Sequence, residues 1–284
     1  MTVTAQSPAG VMFGMPRLER RLALPVAPVR TATIATAAAM LALLVPSVFA
    51  LAIDTRTLNG AALWMKPIHF ELALAINFAT LALLLPLLPA DWRMSRVLRW
   101  STTAACFSAV MEILWIASEA ALGRGSHFNI ATPLEAALYP LAGIGSLLIA
   151  LGSGVVGFAL WRSPLRPGAA HLQRGAALGL LFGSIVTVIV AGYMSSLQSH
   201  LVGGPQTDAF GLPFLGWATR GGDLRVPHFF ATHAMQALPI AGLAADRMVG
   251  DRMRWLMPAG AMVYFAGVFG LFAQALMGLP LIHP

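Results

Sequence analysis

Apolar residues run in seven long blocks along this chain, roughly 32–53, 68–90, 97–121, 134–161, 175–198, 226–247 and 254–281. Each reaches the ~20 residues that a helix needs to cross a ~30 Å hydrocarbon core. Lipid offers no water to backbone N–H and C=O groups, so only helices and closed barrels span it. The blocks are continuous and rich in Ala and Leu, without the period-two alternation of barrel strands, and they read as helices. The pattern predicts an all-α polytopic bundle of seven transmembrane helices. Residues 32–284 form one domain, preceded by a flexible cytoplasmic tail over 1–31 that has no apolar period.

Composition agrees. With 58% hydrophobic and 10% charged residues and a mean hydropathy of +0.76, the chain cannot dress an ordinary soluble domain in polar surface. Pro46 and Val48-Phe49-Ala50 faintly resemble a signal-peptidase site. The apolar run continues to Ile53, past the ~7–15-residue core of a signal peptide, so retention of this span is expected.

Arginine placement sets the orientation. Arg17, Arg20, Arg21 and Arg30 precede the first block, and Arg93, Arg96 and Arg99 lie between the second and third. Arg162, Arg166 and Arg174 join the fourth to the fifth, and Arg247, Arg252 and Arg254 join the sixth to the seventh. The opposite face holds only Arg56, Lys66, Arg124, Arg220 and Arg225. By the positive-inside rule the N-terminus is cytoplasmic and the C-terminus extracytoplasmic. The net charge of +7 then reflects topology and anionic lipid, and points to no nucleic-acid partner. Cys106 is the only cysteine, which excludes an intramolecular disulfide and a cysteine metal cage.

Six of the seven histidines, His69, His127, His200, His228, His233 and His283, fall at block ends on the extracytoplasmic side, and only His171 lies opposite. Polar residues inside the blocks favour the same half: Glu71 and Asn77, Glu112 and Glu119, Tyr139, Tyr193 and Ser196, His233 with Gln236, and Gln274. Glu112 sits about 22 Å from the cytoplasmic end of its span. A carboxylate at that depth costs a few kcal/mol and is expected to face the bundle interior.

One connection is long. The segment 199–225 contains Gly203-Gly204-Pro205, Gly211-Leu212-Pro213-Phe214, Trp217 and Gly221-Gly222-Asp223. Long loops of this kind are functional or disordered, and the aromatics of this one favour burial. It is expected to form an ordered extracytoplasmic lid, with Trp217 or Phe214 packed on the span ends and Arg220, Asp223 and Arg225 organising it, the charges across Gly221-Gly222 pinning the loop or binding an anionic group.

Several chemistries remain open. His228 and His233 are five residues apart and do not form the one-face i,i+4 pair of a zinc-protease helix. Ligands converging from different helices fit better. His200, His228, His233 and His127 are candidate cofactor ligands for a haem iron. His200, His228 and His233 with Glu112 are candidates for a non-haem transition metal, with Glu71 a further carboxylate. Catalytic candidates are Glu112, His233 and Glu71. The chain has no P-loop and no Asp-rich prenyl-diphosphate motif, and Gly152-Ser153-Gly154 reads as helix packing. No span carries a lysine of the kind that holds retinal, because Lys66, the only lysine, precedes the second block.

Trp64-Met65-Lys66-Pro67, Ser126-His127-Phe128-Asn129, Gly211-Leu212-Pro213-Phe214 and Gly221-Gly222-Asp223-Leu224-Arg225 with His228 and His233 resemble motifs of a group of bacterial multi-span membrane proteins. The resemblance covers about residues 55–245. It implies a bacterial cytoplasmic (inner) membrane, and no substrate. The leading expectation is a membrane oxidoreductase with haem or a metal in an extracytoplasmic-side His/Glu pocket, meeting a small or lipid-soluble substrate or redox partner there. The alternatives are a proton-coupled transporter using Glu112 and His233, and a cofactor-free acid–base enzyme acting on a lipid-soluble substrate.

Overall fold

The computed structural model describes residues 27–282. Most of the expected N-terminal tail, and His283, lie outside the described residues. Helix α1 spans Ala27–Ile53, followed by a small hairpin of β1 (Thr57–Leu58) and β2 (Ala61–Ala62). Helix α2 covers Met65–Leu84 and runs into a tight turn at Leu85–Leu87. After the short α3 (Ala90–Arg93) come α4 (Arg96–Ala121), α5 (Pro133–Arg162) and α6 (Ala170–Leu197). Strands β3 (Leu201–Val202) and β4 (Gly222–Asp223) bracket the long loop, and α7 (Arg225–Val249) and α8 (Leu256–Leu276) complete the fold.

Local chemistry sets the ends. Ser95 accepts a hydrogen bond from Leu98 N at the start of α4. Thr132 and Glu135 form a reciprocal capping box around Pro133 at the start of α5, satisfying N–H groups that a helix start leaves open. Helix α6 stops where Gln198 turns left-handed, at φ 52°.

Among the described residues, six helices are long and apolar enough to cross a membrane by length and composition: α1, α2 with its following turn, α4, α5, α6 and α8. The sequence expectation is seven, and the difference is α7. Its His228, Thr232, His233, Gln236, Asp246 and Arg247 dilute the apolar residues, although 25 residues make a helix ~37 Å long. Around the bundle, Val45, Phe49, Leu83, Phe107, Met262 and Val263 are exposed, as side chains against lipid would be.

Helices α6 and α7 make the most extensive contact, and glycine is the cause. A Cβ at Gly175 would stand 2.3 Å from the Leu238 carbonyl oxygen, and one at Gly179 2.3 Å from that of Ala234. Gly183 faces Ala231, and from α7 Gly242 faces the His171 carbonyl at 2.3 Å. This i,i+4 stripe lets the two backbones touch, as small residues do between membrane helices. The main core lies between α1, α2, α4, α5 and α6, centred on the fully buried Met40, Phe78, Leu81, Leu98, Ala109 and Leu180.

His171, the one histidine set apart from the others in the sequence, is 2% exposed in the first turn of α6. Its Nδ1 lies 3.0 Å from Asp246 of α7, whose carboxylate also accepts the backbone N–H groups of His171 and Leu172. Asp246 therefore caps α6 from a neighbouring helix.

Candidate functional site

The long loop is a folded element. Leu201 pairs with Asp223 and Val202 with Gly222, and Leu224 N donates to His200 O at 2.8 Å, so the two ends of the loop are zipped together. A Cβ on Gly222 would stand 1.9 Å from the Ala275 carbonyl oxygen. Only glycine lets this ladder lie against the end of α8. Trp217 is buried, its ring 5.3 Å from Phe229 and 6.2 Å from Phe230 at the start of α7. Phe214 is exposed on one side and meets the His69 ring edge-on at 5.2 Å.

Charges clamp this cover. Asp223 accepts from Ala218 N and from the Arg225 backbone N–H and guanidinium, the last at 2.7 Å. Arg225 also donates to Gly216 O and pairs with Asp208 at 2.9 Å. Asp208 lies 2.9 Å from His200 Nε2, accepts from the Asn59 side chain, and donates its own N–H to Asn59 O, so the clamp extends to the β1/β2 hairpin. Burial opposes ionisation of Asp208, but the His200 hydrogen bond and the Arg225 charge outweigh it and hold the carboxyl below its usual 3.8. The expected pairing across Gly221-Gly222 is corrected. Arg220 turns outward and stacks on Phe210 at 4.2 Å, and Asp223 is taken by Arg225 because its own helix start brings that guanidinium closer.

Glu112, on α4, has a side chain only 3% exposed. His127, delivered by the connection between α4 and α5, places Nε2 3.1 Å from Glu112 Oε1. The contact is ion-pair close but not aligned as a hydrogen bond, and Oε1 has no hydrogen-bond partner. The other side of the His127 ring is held by Ser126, 3.2 Å from Nδ1, and Ser126 O accepts from Trp115 Nε1. Burial and the Lys66 charge push His127 below its usual 6.5, against the pull of Glu112. Lys66 stands beside the pair, its Nζ 6.0 Å from the Phe70 ring, which in turn lies 5.5 Å from that of His127.

The remaining candidates separate. His228 is directed to the Thr187 backbone, and its Nδ1 is buried without a partner, as is His69 Nε2. His233 goes to Gln236, which donates to Thr80, and its ring packs on Phe229 at 4.2 Å; no ion pair joins it to Glu112. Glu71 points to α1, where Ser47 donates to it at 2.8 Å. Among the described residues no three His, Cys, Asp or Glu side chains converge as a metal site, so His200, His228, His233 and Glu112 do not form the expected ligand set. His200 is engaged by Asp208 and His233 by Gln236.

A cavity of about 480 Å³ opens beside the pair, lined by Leu58, Arg124, His127, Phe128, Asn129, Thr132 and Glu135 among others. Leu58, Phe128 and Ala131 are the apolar side chains of its lining. Sequence reasoning missed Lys66, Asn59 and Asp208 as site residues. A signal was there for Lys66, since the sole lysine of the chain stands at a helix start beside a proline. None marked Asn59 or Asp208, ordinary turn residues joined only by folding. Lys66 also corrects the expectation that it precedes the second span, for α2 begins at Met65 and includes it in its first turn.

No protein-family model, no curated protein and no solved structure matches this chain. The site must be read from its own geometry.

Proposed function

We propose that this is a seven-span protein of a bacterial inner membrane, N-terminus in the cytoplasm, whose lid-covered extracytoplasmic site performs acid–base chemistry on a lipid-soluble substrate. The observation that carries the reading is the Glu112 and His127 contact of 3.1 Å. Two groups able to trade a proton lie together in a low-dielectric setting, and His127 also lines the adjoining cavity. Glu112 supplies the carboxyl and His127 the imidazole that passes the proton to or from a ligand. Arginine asymmetry supports the orientation, and the length of α7 supports the seventh crossing.

A redox reading retains one supporting observation, the buried, unpartnered ring nitrogens His69 Nε2 and His228 Nδ1, which are free to ligate haem or a metal. The transporter reading has less support, because Glu112 pairs with His127 and not with His233.

Purified protein in detergent distinguishes these. Metal analysis and an absorption spectrum come first, then deuterium wash-in from heavy water at the acidic C–H positions of hydrophobic ketones. Wash-in that is lost in Glu112→Gln and His127→Ala supports acid–base chemistry. A Soret band, or stoichiometric iron or copper, without wash-in would overturn it in favour of the redox reading.

A further inference from the structure

We propose that Lys66 is an amine nucleophile of the covered site, forming a Schiff base with the carbonyl group of a lipid-soluble aldehyde or ketone. The inference rests on the acid–base reading of Glu112 and His127 and names the substrate class of that same site.

Lys66 is the only lysine among 18 basic residues. Wherever this chain needs only a fixed positive charge it uses arginine, whose guanidinium stays protonated, whereas a lysine amine can lose its proton when buried and so act as nucleophile or base. The one lysine is partly buried in the first turn of α2, under the clamped loop. A structural cation would be held by a carboxylate, yet the nearby acceptors are already committed. Asp208 is taken by Arg225, His200 and Asn59, and Glu112 faces His127 at 3.1 Å and acts on Lys66 only through its field. Among the described residues Lys66 makes no hydrogen bond or close ion pair. Its neighbours are the Phe70 ring and the fields of Glu112, Arg225 and Asp208. A desolvated amine near another cation is the setting that activates lysine toward carbonyls.

The surroundings supply the rest. Phe70 neighbours both Lys66 and His127, and His127 lines the cavity. Leu58 and Phe128 of the cavity lining suit the chain of an amphiphile, and Arg124 and His127 suit a carbonyl oxygen. The neutral amine attacks the carbonyl carbon, and the C=O π pair moves to oxygen, which takes a proton from the Glu112 and His127 pair. The nitrogen returns a proton to that pair, leaving a carbinolamine. Its hydroxyl then takes a proton from that pair and departs as water while the nitrogen lone pair forms C=N, and the resulting iminium returns its N–H proton to the pair. One amine and one carbonyl give one imine and one water, with no oxidation or reduction.

The test uses full-length protein in detergent, a long-chain aldehyde and cyanoborohydride, which reduces an imine to a stable secondary amine, with mass spectrometry of the peptide containing Lys66. At pH 7 the folded protein should label at Lys66 about 10-fold or more faster than protein unfolded in dodecyl sulfate, where lysine is an ordinary amine of pKa ~10.4. Lys66→Arg should lose the label, and Glu112→Gln should slow it. Labelling no faster folded than unfolded, or none at Lys66, overturns the proposal. The wild-type comparison does not depend on any variant folding. Wash-in that is lost in Glu112→Gln but untouched by Lys66→Arg would leave the acid–base reading standing and remove Lys66. Rapid trapping at Lys66 without wash-in would do the reverse.

Discussion

The carboxylate of Asp208, in the middle of the long loop, lies 2.9 Å from the guanidinium of Arg225 at the start of α7. Arg225 simultaneously holds Asp223 and Gly216 O, so one side chain ties three points of the loop to the bundle. Replacing either partner strands the other in a half-buried position. Asp208→Ala or Arg225→Ala should cost the closed loop about 2 kcal/mol. Amide exchange across 203–219 should then rise, while exchange in α6 stays protected. Unchanged protection of the loop would show that Trp217 packing alone holds it.

The glycine stripe sets the distance between α6 and α7. Gly179→Leu would drive a side chain into the Ala234 carbonyl, and the helices must part. The thermal midpoint in detergent should fall, by an amount corresponding to about 2 kcal/mol or more. Gly260→Leu is the control, since nothing lies within 4 Å of a Cβ there.

His171 and Asp246 form a buried pair at 3.0 Å on the other end of the bundle. His171→Ala leaves a buried carboxylate with fewer partners and should destabilise the protein by about 3 kcal/mol. Labelling of Lys66 in the surviving folded fraction should be unaffected. A wild-type melting temperature would mean that the backbone N–H groups of His171 and Leu172 suffice for Asp246.

Acid should loosen the site in two steps. His127 is pushed below 6.5 in the folded protein, so the unfolded chain takes up the proton first, and stability falls as pH drops below about 6.5 toward the lower folded value. Asp208 is held below 3.8. Its contribution is present above 3.8 and is lost as pH falls through the folded value. A melting curve across pH should show both declines. His127→Gln should lessen the first and Asp208→Asn the second; a profile that stays flat down to pH 4 in the wild type would contradict the first.

Reporter fusions test the topology. Fusions after Arg96, Arg166 and Arg252 should report the cytoplasm, and fusions at Arg124, Gly204 and the C-terminus the outside. Arg252 and the loop at Gly204 flank α7. The same signal from both would mean that α7 does not cross.

Much of this was legible in the chain because a bilayer is a severe solvent. Block length predicted helices that the structure places within a few residues at most ends, and the histidine and carboxylate positions pointed to one end of the bundle. Trp217, Asp223 and Arg225 stood out because aromatic residues and charges in a long loop need partners. The identity of those partners was not legible. Glu112 meets His127 and not His233 because the connection between α4 and α5 folds back over α4, and Arg225 outcompetes Arg220 for Asp223 because the start of α7 carries it there. Lys66 joins the first turn of α2 because that helix begins one residue before it. Hydrophobic pattern is a one-dimensional property and survives in the sequence, whereas the direction of a side chain depends on where a helix starts and which neighbour covers it. Those are decided by packing between segments that lie far apart in the chain.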